Sequence, residues 1–133
     1  MTTELYWLTL TLLMTAILWV PSFLDRVAVR GLWAALAGTQ PETGTYHSEW
    51  GQRAIRAHQN AVENLVIFAP AVLTAHLLSI SSPATRAAAA VYFFARLVHF
   101  PVYTAGIPAA RTLAFLTGWS AQLVIIATIL RWL

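Results

Sequence analysis

The chain is 133 residues long, enough for one domain, and 59% of it is hydrophobic while only 10% is charged, against about 25% charged in an average soluble domain. That balance excludes a soluble globular protein and specifies a membrane protein. The net charge of +3 comes from eight arginines spread among apolar runs, which excludes a nucleic-acid partner; the lack of cysteine excludes disulfides, cysteine-ligated metal and a thiol nucleophile of the protein's own.

Leu5 to Leu24 is an uncharged apolar run. Its flank carries Glu4 and no basic residue, its length is about 20 residues rather than the 7 to 15 of a signal-peptide core, and no A-x-A site follows. A retained transmembrane helix is expected at about 4–24. Three more are expected at about 50–80, 83–104 and 108–132, each long enough to cross roughly 30 Å of hydrocarbon. Asp25 to Gln52 is the one long polar connection, and Gly38 to Gly44 within it reads as turn chemistry. Ser79 to Pro83 predicts a tight turn, with Ser82 as N-cap and Pro83 at the first helical position; Thr104 to Pro108 predicts another.

Short second and third connections make neighbouring helices antiparallel, so the fold class is all-α, an integral membrane four-helix bundle forming a single domain. Arg26, Arg30, Arg53, Arg56 and Arg111 flank one side, Arg86 and Arg131 the other. The positive-inside rule then puts the long loop in the cytoplasm and both termini outside, hence periplasmic for a multi-pass protein of a cell inner membrane. Trp7, Trp19, Trp33, Trp50 and Trp132 fall near helix ends, as interfacial anchors do.

Two polar stripes interrupt this apolar text. Ionisable groups at membrane depth are costly and mark function. At about 100° per residue, Arg53, Arg56, Asn60 and Glu63 span roughly 80° of the second helix, and Arg96, His99 and Tyr103 roughly 60° of the third. Antiparallel registry is expected to set Arg96 near the depth of Glu63, with His99 and Tyr103 near Asn60 and Arg56, and Arg111 and Thr112 opening the fourth helix at the same level. The result is a basic pocket open to the cytoplasm and to lipid. Arginine binds carboxylates bidentately and stays charged when desolvated, which suits a small ligand with several carboxylates. A thiol on that ligand would be ionised by Arg111 with the Thr112 hydroxyl and become a borrowed nucleophile. Pro70 and Pro101 are expected to kink their helices. His58 points away from the stripe toward a packing contact, and His47 and His76 share no ligand spacing, so no metal is expected.

The segment Arg53-Ala54-Ile55-Arg56-Ala57-His58-Gln59-Asn60-Ala61-Val62-Glu63, an R-x-x-R-A-H-x-N-x-x-E pattern, resembles the second-helix signature of the MAPEG family, the membrane-associated proteins of eicosanoid and glutathione metabolism. Arg96-Leu97-Val98-His99 with Tyr103, followed by Arg111-Thr112, is similar to further elements of that family, including its bacterial members. The resemblance covers the whole chain. It implies a homotrimer binding glutathione between adjacent subunits, with Asn60, Glu63, His99, Tyr103 and Arg111 as contacts and Arg53, Arg56 and Arg96 as contacts or supports. Thr112 stands where some members have a serine that acts on the thiol. Members also place a basic residue at the end of the first helix, a position open to Arg26 or Arg30. Two features depart from the pattern: Gln59 replaces a frequent arginine, and Ile67-Phe68-Ala69-Pro70 stands where P-x-F is common.

The implied activity is a microsomal-type glutathione transferase or peroxidase, with glutathione as co-substrate, acting on lipophilic small molecules that enter from membrane lipid. A non-catalytic lipid- or anion-binding scaffold of the same fold is the alternative. A transporter is disfavoured because no repeated pair of broken helices is present.

Overall fold

The computed structural model describes residues 1–38 and 47–133. Six helices account for most of them: α1 (Thr3–Ile17), α2 (Val20–Arg30), α3 (Leu32–Ala37), α4 (Glu49–Leu77), α5 (Pro83–Thr104) and α6 (Pro108–Ile129). The first apolar run is thus a jointed rod. Leu18 closes α1, and α2 restarts with Pro21 in its first turn, where a missing N–H costs nothing. Apart from Gly38, which ends α3 in the left-handed region, the Gly38-to-Gly44 turn lies outside the described residues.

Thr3–Arg30, Glu49–Leu77 and Pro108–Ile129 are long and apolar enough to cross a membrane. The 22-residue α5 matches α6 in length; Arg86, Arg96 and His99 make it less apolar. α4 and α5 continue without interruption through Pro70 and Pro101.

Lipid tails give helices little hydrophobic reason to associate, so close packing must do it, and small residues permit that. Ala54, Ala57, Ala61, Ala71 and Ala75 of α4 are buried, as are Ala88, Ala89 and Ala95 of α5 and Ala114 and Ala121 of α6. α5 packs most extensively on α6. A Cβ on Gly118 would already stand 3.6 Å from that of Ala95. At the middle of the bundle Phe68 and Tyr92, both fully buried, stack with centroids 3.7 Å apart and planes 11° from parallel. Trp19, Trp33, Trp50 and Trp132 are exposed, whereas Trp7 packs on Phe93 and Phe94, at 5.4 and 5.3 Å between rings.

The caps follow the sequence chemistry. Ser82 and Thr85 form a capping box at α5, with Pro83 in the first turn. The α4–α5 turn closes with Ser79 at φ 57° and Ile80 N–H donating to Ala75 O. In the α5–α6 turn Gly106 takes the same place at φ 77°, with Ile107 N–H on Val102 O.

Sequence reading alone passed over the joint between α2 and α4. Asp25 is buried and accepts from His47 Nδ1 (3.1 Å), from Ser48 N–H (3.0 Å) and from the Ser48 hydroxyl, while the Ser48 Oγ caps α4 by accepting from Gly51 N–H (3.3 Å). Gly51 must be glycine, because a Cβ there would overlap the Asp25 carboxylate. Gly51→Ala is therefore expected to destabilise the protein by about 1–3 kcal/mol through overpacking, read as a lowered unfolding midpoint in detergent; the second substitution Asp25→Ala relieves the overlap but removes the acceptor of His47 and Ser48, so it should not restore the original midpoint.

Candidate functional site

The start of α4, the end of α5 and the start of α6 meet at one end of the bundle. α4 buries Ala54, Ala57, Ala61, Asn64 and Phe68, and its polar stripe runs along one edge of that face. Arg53 and Asn60 lie nearer the buried face and are half-buried, while Arg56 and Glu63, about 60° further round the helix, are exposed. Among the described residues neither Arg56 nor Glu63 forms an ion pair.

Arg96, deeply buried, is held by Asn60, one turn from Glu63: its Nη2 donates to Asn60 Oδ1 at 2.7 Å. Nε and Nη1 of Arg96 have no acceptor among the described residues. Asn60 is fixed in turn from Asn64, whose Nδ2 donates to the Asn60 carbonyl (2.8 Å) and to its Oδ1 (3.3 Å). Gln122 of α6 donates to Asn64 O at 3.0 Å. A polar chain thus crosses the bundle from α5 through α4 to α6. Asn64 and Gln122 are the members missed from sequence; Asn64, one turn beyond Asn60, and Gln122, the one amide side chain of α6, were the available signals.

Above this chain is a cavity of ≈ 170 Å³ lined by Asn60, His99, Tyr103, Arg111, Thr112 and Phe115. Of the residues singled out from sequence, the fold brings these five together, with Phe115 added one turn from Arg111. His99 is buried, its Nδ1 without a partner among the described residues, and its ring stands 5.5 Å from that of Tyr103. Arg111 Cζ sits 4.9 Å from the Tyr103 ring centroid, a cation–π contact that positions the guanidinium while leaving its N–H groups available. The Thr112 hydroxyl donates to Pro108 O at 3.0 Å, so toward a ligand it presents lone pairs. Arg53 stands outside the cavity, its Nε donating to Thr104 O at 2.7 Å. That contact clamps the α5–α6 turn, where a Cβ on Gly106 would come within 3.3 Å of Arg53 Nε. His58 makes a packing contact, donating from Nε2 to Thr15 O at 3.2 Å. Among the described residues no cluster of metal-ligating side chains is present.

Apolar helices of spanning length, with a cavity lined by Asn60, His99, Tyr103, Arg111 and Thr112 at one end, define an all-α membrane protein. The chain matches the model of the MAPEG family over residues 5–131 and belongs to that family. Its members include glutathione transferases and related enzymes; they generally use glutathione and are generally trimers. No curated protein and no solved structure matches the chain.

Asn60→Leu removes the acceptor that holds Arg96. A charged donor left unpaired costs about 1.5–3 kcal/mol, so a large fall in the thermal midpoint is expected, whereas Asn60→Asp, which keeps an acceptor, should retain most of the stability.

Proposed function

We propose that the protein is a glutathione-dependent membrane transferase or peroxidase that presents a thiolate to lipophilic electrophiles from the bilayer. The observation that carries this reading is the grouping of Arg111, Tyr103, His99 and Asn60 around one cavity in a MAPEG chain. Its ≈ 170 Å³ falls below the roughly 300 Å³ at which small-ligand pockets begin, so one chain supplies part of a site. Arg56 and Glu63, exposed on the neighbouring face of α4, are charges that a lipid-facing surface would not keep. A homotrimer in which they reach the cavity of an adjacent copy completes the pocket and covers them.

In that assembly Arg53, Arg56, Asn60, Glu63, Arg96, His99 and Tyr103 hold glutathione. The arginines take its carboxylates and Glu63 its ammonium, with Arg53 and Arg96 also acting as supports through Thr104 and Asn60. Thr112 orients the neutral thiol by accepting from its S–H, and Arg111 stabilises the thiolate once that proton has left to water. The thiolate then either displaces a leaving group from carbon or attacks a hydroperoxide oxygen, breaking the O–O bond to release an alcohol and leave a sulfenic acid, which a second glutathione converts to the disulfide with loss of water. All four rods, α5 included, cross a cell inner membrane, with both termini periplasmic and the α3–α4 connection cytoplasmic.

Adding glutathione to the detergent-solubilised protein should produce thiolate absorbance and turnover of an aryl halide or a lipid hydroperoxide. Arg111→Ala is expected to abolish the absorbance with a smaller effect on binding, since positive charge lowers the thiol pKa; Glu63→Ala is expected to weaken binding. Absence of binding at millimolar glutathione would leave the non-catalytic scaffold as the reading.

A further inference from the structure

The opposite end of the bundle, where α1 begins, α4 ends and α5 begins, holds a second buried charge that the reading above does not use. Glu4 is 4% exposed. Its Oε1 accepts two hydroxyl hydrogen bonds, from Ser81 (2.9 Å) and Thr85 (2.6 Å). Its Oε2 is equally buried and has no donor among the described residues. A carboxylate satisfied on one oxygen and bare on the other is unusual inside a protein, because a buried acceptor left unpaired carries its full desolvation cost.

Glu4 also lines a cavity of ≈ 250 Å³ together with the polar residues Thr2, His76, Ser79 and Ser81 and the apolar Ile80. The volume is roughly eight times a water's share of the liquid. A ligand matched to this mixed lining carries N–H donors and a short aliphatic chain. The one anionic group in the lining is Glu4; the Arg86 guanidinium donates to the Ser81 hydroxyl at 3.4 Å, on the exposed side, and acts on Glu4 electrostatically from there without donating to it.

We propose that this cavity is a binding site for a primary alkylammonium group, with the Glu4 carboxylate as its charged acceptor, the hydroxyls of Thr2 and Ser79 as further acceptors, and Ile80 against its carbon chain. The same chemistry is offered by a soluble amine and by a phosphatidylethanolamine headgroup.

Calorimetric titration of the full chain in detergent with n-butylammonium and with tetramethylammonium, which has no N–H, tests the soluble source. Native mass spectrometry from nanodiscs of phosphatidylethanolamine or phosphatidylcholine tests the lipid source. Retention of either primary amine in preference to its quaternary counterpart supports the site and identifies the source. Glu4→Gln, which keeps an acceptor for Ser81 and Thr85, is expected to weaken that binding at least about ten-fold, as loss of a charge-assisted hydrogen bond requires. Ile80→Trp, which fills the cavity and leaves the carboxylate intact, is expected to abolish it. Equal affinity in Glu4→Gln, undiminished binding in Ile80→Trp, or no preference for a primary amine from either source would overturn the proposal. Glutathione binding at the other end is expected to be unchanged in both variants, so the two sites stand or fall separately.

Discussion

A guanidinium enclosed by apolar helices must be given acceptors, because the membrane interior supplies none, and among the described residues Asn60 is the one that answers Arg96, through Nη2 alone. Much of the site is arranged around it. Asn60 can serve Arg96 because Asn64 holds its side chain, and Asn64 is itself tied to α6 through Gln122. The bond also sets the registry of α4 against α5, which decides the residues that share the cavity with Arg111 and those that face outward. A membrane bundle stitched largely through alanine contacts could slide by a turn at small cost in packing; a buried charge with one partner cannot.

The same logic explains what could be read from sequence. The α5 stripe was legible because Arg96, His99 and Tyr103 recur at helical spacing on a helix with few other polar residues, and the turn after it was announced by Gly106 and Pro108. The α4 stripe was legible as a stripe but not as two functions. An arc of roughly 80° spans the edge between a buried face and an open one, so Asn60 fell inside and Glu63 outside. Turn length alone leaves the antiparallel registry uncertain by about one helical turn, enough to exchange Glu63 for Asn60 as the partner of Arg96.

Other features depended on contacts between distant parts of the chain. Asp25, His47 and Ser48 meet only after α2 folds against the start of α4, and Glu4 finds Ser81 and Thr85 from nearly eighty residues away. Nothing in local pattern or composition marks such pairs. Both carboxylates do share one circumstance visible afterwards: each lies beside the N-terminus of a helix other than its own, α4 for Asp25 and α5 for Glu4, where unpaired N–H groups and the helix dipole favour negative charge.

The fully buried stack of Phe68 on Tyr92 lies between these two polar ends, one turn from Asn64 and Arg96 on one side and one turn from Val72 on the other. Parallel rings 3.7 Å apart leave no room for a water molecule between them. The stack therefore closes the core between them. Polar side chains enter the bundle from both ends, and at this level the space between α4 and α5 is filled by two aromatic rings.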